Sequence, residues 1–316
     1  MAKQMKAAFF TEFGGADKIQ VGTLDVPAVG EGEVLVRVKA AGVNPVDSAI
    51  RAGYLQQALP HVFPIIPGWD VAGVVEERGH SARRFAVGDE VYAYARRPTV
   101  QHGTFAEYIV LPESYLAQRP HSLSWEQAGG IPLAGLTAYQ SLFDAGNLQA
   151  GQTVLILGAS GGVGSFAIQL AKDKGATVVA VASEKNFAYM KELGADFTVD
   201  YKQGNVGEAV KAIVPAGVEL IYDCISGETL TQSLSALKAG GTLVSILHNG
   251  QGLDPHINFR YVFVEPNAMQ LEALQQLADA GKLKVQVSKT FPLDETAEAL
   301  NEIDSHHTTG KIVIVP

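Results

Sequence analysis

Thr153-Val-Leu-Ile-Leu-Gly158-Ala-Ser-Gly161-Gly162-Val-Gly164-Ser-Phe-Ala-Ile-Gln-Leu-Ala-Lys172 runs on into Gly175-Ala-Thr-Val-Val-Ala-Val-Ala-Ser183-Glu184-Lys185. The apolar run Val154 to Leu157 reads as a strand that breaks into a glycine-rich turn. Helical spacing follows, with Val163, Phe166, Ala167 and Leu170 on one face, and Thr177 to Ala182 reads as a second strand. Strand, turn, helix and strand in this order form the opening βαβ unit of a dinucleotide-binding fold. Gly161 lacks a Cβ, so a pyrophosphate can approach the backbone, and Gly164 lets the helix pack close to the strand. Free N–H groups at the helix start face the anion. The first fingerprint glycine is replaced by Ala159, and Gly158 stands one residue earlier to relieve the turn.

The end of the second strand bears on the choice of dinucleotide. An acid about 20 residues past the loop marks NAD enzymes, because it holds the ribose 2′-hydroxyl. Ser183 and Glu184 both fall in that window, and Lys185 follows. Side chains alternate along extended backbone, so Ser183 and Lys185 share a side that Glu184 does not. A hydroxyl and an ammonium suit a 2′-phosphate, whereas a carboxylate repels it. The expected cofactor is therefore NADPH. An NADH-using protein, with Glu184 on the ribose, is the alternative.

Outward from this stretch, 316 residues suffice for two domains. A hydrophobic content of 47% supports an ordinary buried core. The net charge of −9 gives no general attraction for nucleic acid or an anionic membrane, so any anion site must be local. Cys224 is the only cysteine, which excludes an internal disulfide and a cysteine-based zinc site. Residues 154 to 171 carry no charge, but four glycines, two serines and a glutamine favour strand–loop–helix over a membrane span. The first ten residues contain no apolar core of signal-peptide length. A cytoplasmic protein is expected.

Residues 6 to 125 read mostly as short strands, among them Val34–Ala40, Val71–Glu77 and Asp89–Tyr94, cut by frequent prolines and glycines. The texture changes at Ser124-Trp-Glu-Gln127, a capping box. From there to 264 strands and helices alternate: helix 185–193, strand Phe197–Asp200, helix 205–213, strand Val218–Cys224, helix 227–238 and strand Gly241–Leu247. This predicts a doubly wound parallel sheet. In the tail, Asn267 caps a helix ended by Gly281, and strand Lys284–Val287, helix Asp294–Ser305 and strand Lys311–Val315 follow. The expected domains are 1–125 with 265–316, and 126–264. Cys224 reads as a small buried hydrophobe, Arg96 and Arg97 as part of a solvated loop, and the adjacent His306-His307 as poor chelators.

Further strings run in order along the whole chain: Ala41-Gly-Val-Asn44-Pro-Val-Asp47, Pro67-Gly-Trp-Asp-Val-Ala-Gly73, Gly88-Asp-Glu-Val-Tyr92, Gly103-Thr-Phe-Ala-Glu-Tyr108, Gly135-Leu-Thr137-Ala-Tyr139, Leu193-Gly-Ala-Asp196 and Thr309-Gly-Lys311. With them the chain resembles the medium-chain dehydrogenase/reductase superfamily, and within it the zinc-free quinone oxidoreductases and enone (alkenal) reductases. The resemblance implies a Rossmann domain plus a GroES-like β-rich domain, and a homodimer formed through the sheet edge, with Gly241–Leu247 and Tyr261–Val264 as candidate edge segments. Zinc-dependent relatives carry a cysteine where this chain has Asn44 and a His-Glu pair where it has Trp69-Asp70, so no metal is expected. Without a metal to stabilise an alkoxide, the expected substrates are quinones and α,β-unsaturated carbonyls, whose conjugation spreads the charge.

The resemblance also implies residue roles. Asn44 lies beside the nicotinamide or the substrate carbonyl, and Asp47 orients a neighbour or the ribose. Leu136 and Thr137 approach the nicotinamide half; Ser160, Gly161, Gly162, Val163 and Gly164 take the pyrophosphate; Ser183, Lys185 and Asn186 take the 2′-phosphate. Tyr201 stacks near the adenosine, Ile225, Ile246 and Leu247 close later strands against the cofactor, and Thr309 and Gly310 reach it from the β-rich domain. Tyr54, where some enone reductases carry a lysine, is either a donor to the substrate oxygen or an aromatic wall. Asn44 and Tyr54 are the candidate catalytic residues. A reductase is the expected activity, and a non-catalytic NADPH-binding structural or sensor protein is the rival.

Overall fold

The computed structural model describes residues 3–305 and 308–316. The chain divides into two compact units. One comprises the chain up to Leu133, Glu265–Gly281 and Val285–Pro316; the other comprises Ala134–Val264 and Lys282–Lys284. The first break falls beyond 125, because the Ser124-capped helix Trp125–Gly129 packs on the strand Glu33–Val43 of the first unit.

A seven-stranded sheet dominates the first unit. Its order is Val287–Pro292, Lys311–Val315, Glu33–Val43, Asp70–Arg78, Glu90–Tyr94 and Leu116–Gln118, with Tyr108–Pro112 also paired to Glu33–Val43. The Val287–Pro292 and Lys311–Val315 pair is parallel and the others are antiparallel. Val36, Val38, Val71, Ile109 and Leu111 share one core with Phe291, Leu300, Ile312 and Ile314 from the tail, so the tail completes the β-rich unit. The tail strand lies at Val287–Pro292 rather than Lys284–Val287. The backbone of Lys284 is claimed by a side chain instead: its N–H donates to Gln169 Oε1 at 2.7 Å, and its carbonyl accepts from Gln169 Nε2 at 3.0 Å.

The second unit is a doubly wound α/β layer. Its six parallel strands run in the order Phe197–Asp200, Thr177–Ala182, Thr153–Leu157, Val218–Asp223, Leu237–Ser245 and Asn258–Tyr261. The chain winds outward one way from Thr153–Leu157 and then the other way from Val218–Asp223. That reversal opens a crevice beyond the carboxyl ends of these two strands. The helix expected over 227–238 stops at Ser233, and the next strand begins at Leu237 rather than Gly241. The edge strands are Phe197–Asp200 and Asn258–Tyr261; Gly241–Leu247 falls in an inner strand, and Tyr261–Val264 overlaps the second edge at Tyr261.

Candidate functional site

At the crevice the strand Thr153–Leu157 turns through Gly158, whose φ is +75°. A Cβ there would lie 2.5 Å from Ile225 Cγ2, so glycine is required on two counts. The left-handed residue is Gly158, which is why Ala159 can occupy the position of the usual first glycine; its N–H donates to Val181 O at 3.0 Å. Gly161 precedes the twelve-residue helix Gly162–Asp173, and no side chain caps it. A Cβ on Gly161 would meet only Gly158 O, at 3.4 Å, so its approach face is open. A Cβ on Gly164 would lie 2.4 Å from Gly158 O and 2.6 Å from Ala159 Cα. Gly162, Val163 and Gly164 thus begin a helix whose first N–H groups lack intrahelical partners. Open backbone, uncapped N–H groups and the helix dipole together fit a pyrophosphate.

Beside this turn the structure gathers Ser160, Ser183 and Asn186. The Asn186 amide donates to Ser160 Oγ at 3.0 Å and to Ser183 Oγ at 3.4 Å. Glu184 is held on other contacts: its N–H donates to Asp200 Oδ2 at 3.3 Å, and its Oε2 accepts from Gln203 Nε2 at 3.4 Å. Lys185 is exposed. Tyr201 is also exposed, with Lys202 Nζ 5.7 Å from its ring centroid. Lys202 is a second ammonium here, and no local pattern in the sequence singles it out.

The far side of the crevice rests on a buried pair that sequence reading missed. Asp223 Oδ2 accepts from Ser245 Oγ at 2.6 Å. Asp223 Oδ1 takes the N–H groups of Ile225 and Ser226, and Ser245 Oγ takes those of Leu247 and His248. Both turns that follow the strands are therefore fixed, presenting Ile225 and Leu247 as exposed apolar side chains, while the Ile246 N–H donates to Asp223 O. Leu136 differs from expectation: its side chain is fully buried, so it offers no surface to a nicotinamide. Thr137 is also buried, and its carbonyl accepts from Tyr222 Oη at 3.4 Å. Cys224 is half-buried.

In the first unit Asn44 belongs to a buried polar cluster. Asn44 Oδ1 accepts from Lys311 Nζ at 2.5 Å, and Asn44 Nδ2 donates to Asp70 Oδ2 at 2.9 Å. Lys311 Nζ also donates to Val43 O at 3.2 Å and lies 3.7 Å from Asp70 Oδ2. The Asn44 N–H donates to Asp47 Oδ2 at 2.8 Å. The other Asp47 oxygen is buried without a hydrogen bond, although the Gly68 amide faces it. Burial raises the Asp47 carboxyl to about 8, burial also raises Asp70, and burial lowers the Lys311 ammonium. Both ends of the Asn44 amide are thus engaged with protein groups.

Tyr54 follows the helix Pro45–Arg51 and is 83% exposed. Gly310 has a φ of +75° before the strand Lys311–Val315, and Thr309 is half-buried beside it. Arg96 pairs with Glu265 at 3.0 Å and Arg97 with Glu33 at 2.7 Å, so neither belongs to a merely solvated loop. His306 and His307 lie outside the described residues. The cluster does not fit a catalytic metal. A buried ammonium already sits against Asn44 and Asp70, at the two positions that correspond to metal-site residues in zinc-dependent relatives, and a second cation there would be repelled.

Two family models match the chain: an alcohol dehydrogenase GroES-like domain over residues 30–121 and a zinc-binding dehydrogenase domain over 193–314. The NADPH-dependent alkenal/one oxidoreductase of Arabidopsis thaliana chloroplasts is 35% identical across 99% of this chain and 80% of its own length. The 2-methylene-furan-3-one reductase of Solanum lycopersicum is 35% identical across 99% and 79%. Among solved structures, a quinone oxidoreductase from Coxiella burnetii superposes with a TM-score of 0.90 at 32% identity, covering 99% of this chain and 100% of its own. The ordered motifs, the two folded units and these likenesses agree: the chain belongs to the medium-chain dehydrogenase/reductase superfamily, in the zinc-free branch of quinone and enone oxidoreductases.

Proposed function

We propose that the chain is an NADPH-dependent, zinc-independent reductase that delivers hydride to a quinone or to the C=C bond of an α,β-unsaturated carbonyl. The observation that carries the cofactor half is the arrangement after Ala182. Ser183 joins Ser160 and Asn186, Lys185 stands exposed, and Glu184 is engaged with Gln203 and the Asp200 carboxylate. Two hydroxyls, an amide and a nearby ammonium suit the 2′-phosphate of NADPH. Gly161, Gly162, Val163 and Gly164 take the pyrophosphate on backbone N–H groups. Tyr201 flanks the adenosine, and Ile225, Ile246, Leu247 and the Thr137 backbone line the remainder. Asp47, Thr309 and Gly310 belong to the β-rich unit, where Asp47 is as fully buried as Leu136 and therefore acts on its neighbour Asn44 rather than on a ligand.

NADPH, when bound, supplies the hydride. The chain orients the acceptor and stabilises the oxygen on which charge collects. Tyr54 is the donor to that oxygen, because its phenol is exposed while the Asn44 amide is occupied. Solvent supplies the proton. Among the described residues no helix is long and apolar enough to cross a membrane. A cytoplasmic homodimer completes this reading, supported by the open strand edge at Asn258–Tyr261 and the exposed Tyr261.

The test is anaerobic oxidation of NADPH and NADH against an enone, an enal and a para-quinone. NADPH-selective turnover supports the reading, and the preferred acceptor separates enone from quinone reduction. Tight NADPH binding without turnover on any acceptor overturns it in favour of a binding protein. Equal or better use of NADH overturns the roles given to Ser183 and Lys185.

A further inference from the structure

The helix Pro45–Arg51 has only seven residues, too short to hold itself in water. Its position must come from tertiary bonds. At its start, Asn44 is locked between Lys311 and Asp70, and Asp47 returns to the Asn44 N–H. At its end, Ser48 Oγ donates to Asp304 Oδ2 at 2.6 Å, and Arg51 Nη2 donates to the same oxygen at 3.3 Å. Just beyond, the Tyr54 N–H donates to Ala49 O at 3.0 Å and the Gly53 N–H to Ile50 O at 2.9 Å. The backbone of Tyr54 therefore moves with the last turn of this helix.

Asp304 is an unusual residue for its place. It ends the helix Thr296–Asp304, where the dipole disfavours a carboxylate. The Arg51 side chain is only 7% exposed, and its Nε and Nη1 are buried without partners. Among the described residues, Asp304 is the carboxylate paired with that guanidinium. A carboxylate kept against the local dipole, facing a buried cation and a serine of the neighbouring helix, serves the neighbour rather than its own helix.

We propose that Asp304 is a positioning residue for the reduction: by holding Ser48 and Arg51 it fixes the last turn of Pro45–Arg51, and with that turn the backbone of Tyr54 from which the phenol projects. The start of the helix is immobilised by the Lys311 cluster, and the Gly14 N–H donates to Arg51 O at 2.9 Å at its end, so Asp304 adds the side-chain restraint on that last turn. Hydride transfer is sensitive to small displacements of the groups that align the acceptor. This inference rests on the reading of Tyr54 as the donor to the substrate oxygen.

The experiment is a double-mutant cycle in the full-length protein, combining Asp304→Asn with Tyr54→Phe and scoring kcat, NADPH affinity and thermal stability. Ser48→Ala is run in parallel, since it removes one bond and leaves the Arg51–Asp304 charge pair intact. Tyr54→Phe should lower kcat at least roughly tenfold, as loss of an oxyanion donor does. Asp304→Asn and Ser48→Ala should each lower kcat by roughly threefold or more with tyrosine at 54, and by less than about twofold in the Tyr54→Phe background. NADPH affinity should stay unchanged. Any stability loss should be the same in both backgrounds, which a merely structural role would also give; the non-additivity in kcat is what such a role does not give. Equal kcat losses in both backgrounds, or no loss from either variant, overturn the positioning role while the reductase reading stands. A silent Tyr54→Phe in an active enzyme overturns both the donor role and this inference. A wild-type protein without turnover overturns the reductase reading itself.

Discussion

Replacing Asp47 with asparagine should change how stability depends on pH, and the direction follows from the buried cluster. The Asp47 carboxyl is fully buried, accepts one backbone N–H on Oδ2, and leaves Oδ1 unpaired. Burial raises it from 3.8 to about 8, with the neighbouring Asp70 adding to the rise and Lys311 opposing it. The folded protein therefore keeps a proton that the unfolded chain releases anywhere between these two values. Unfolding sheds that proton, so raising the pH through this window favours unfolding. The stabilisation is complete below the unfolded value and is lost as pH climbs to the folded one. At about 1.4 kcal/mol per unit, the loss between roughly pH 5 and pH 8 is about 3–4 kcal/mol. Asp47→Asn retains the acceptor for the Asn44 N–H but cannot titrate. Its buried amide should cost about 1–3 kcal/mol at every pH through an unpaired donor. Urea unfolding of both proteins at a series of pH values gives the test. The wild type should be the more stable at low pH, the two curves should cross between about pH 4.5 and 6, and Asp47→Asn should be the more stable by about 2–4 kcal/mol near pH 8. Parallel curves across the window would show that Asp47 is ionised in the folded protein, and the reasoning from burial would be wrong.

The glycine turn and the strand end that follows it allow sharper contrasts. Gly164→Ala puts a Cβ 2.4 Å from a backbone oxygen, so both stability (by about 1–3 kcal/mol) and cofactor affinity should fall. Gly161→Ala meets only one atom at 3.4 Å, so its melting temperature should stay near wild type while NADPH affinity drops, measured by protein fluorescence. Lys185→Ala should weaken NADPH by roughly tenfold through one lost charge-assisted contact and leave NADH unchanged; equal losses for the two cofactors would remove Lys185 from the 2′-phosphate.

What the sequence makes legible is what local periodicity encodes. Val154 to Leu157, the glycines and the apolar face of Gly162–Asp173 lie within about twenty residues, and one βαβ unit follows from their spacing. The caps at Ser124 and Asn267 are equally local, each spanning three residues. The Lys311–Asn44 bond joins positions 267 apart, and Ser245–Asp223 joins strand ends 22 apart. No periodicity announces either, because a single polar residue at a strand end or before a helix has the same local texture whether it is solvated or buried. The misplaced tail strand has a similar cause. Lys284 to Val287 alternates as a strand should, but Gln169, 115 residues earlier, captures the Lys284 backbone and the ladder begins at Val287.

The buried ammonium also bears on which acceptors the proposed reductase can serve. Lys311 Nζ spends its donors on Val43 O and Asn44 Oδ1 and leans on Asp70, all within a cluster at most 4% exposed. Its charge is neutralised internally and cannot reach a substrate oxygen. In the proposed reductase, transition-state charge on that oxygen then falls to neutral donors such as the Tyr54 phenol, each worth far less than a metal ion. A localised alkoxide needs more than this. A conjugated acceptor spreads the incoming charge before the protein has to stabilise it, which is why quinones and enones are the acceptors proposed for this site. The same reasoning makes simple aldehydes and ketones poor substrates even where they fit sterically, and adding one to the acceptor panel would expose an error in it.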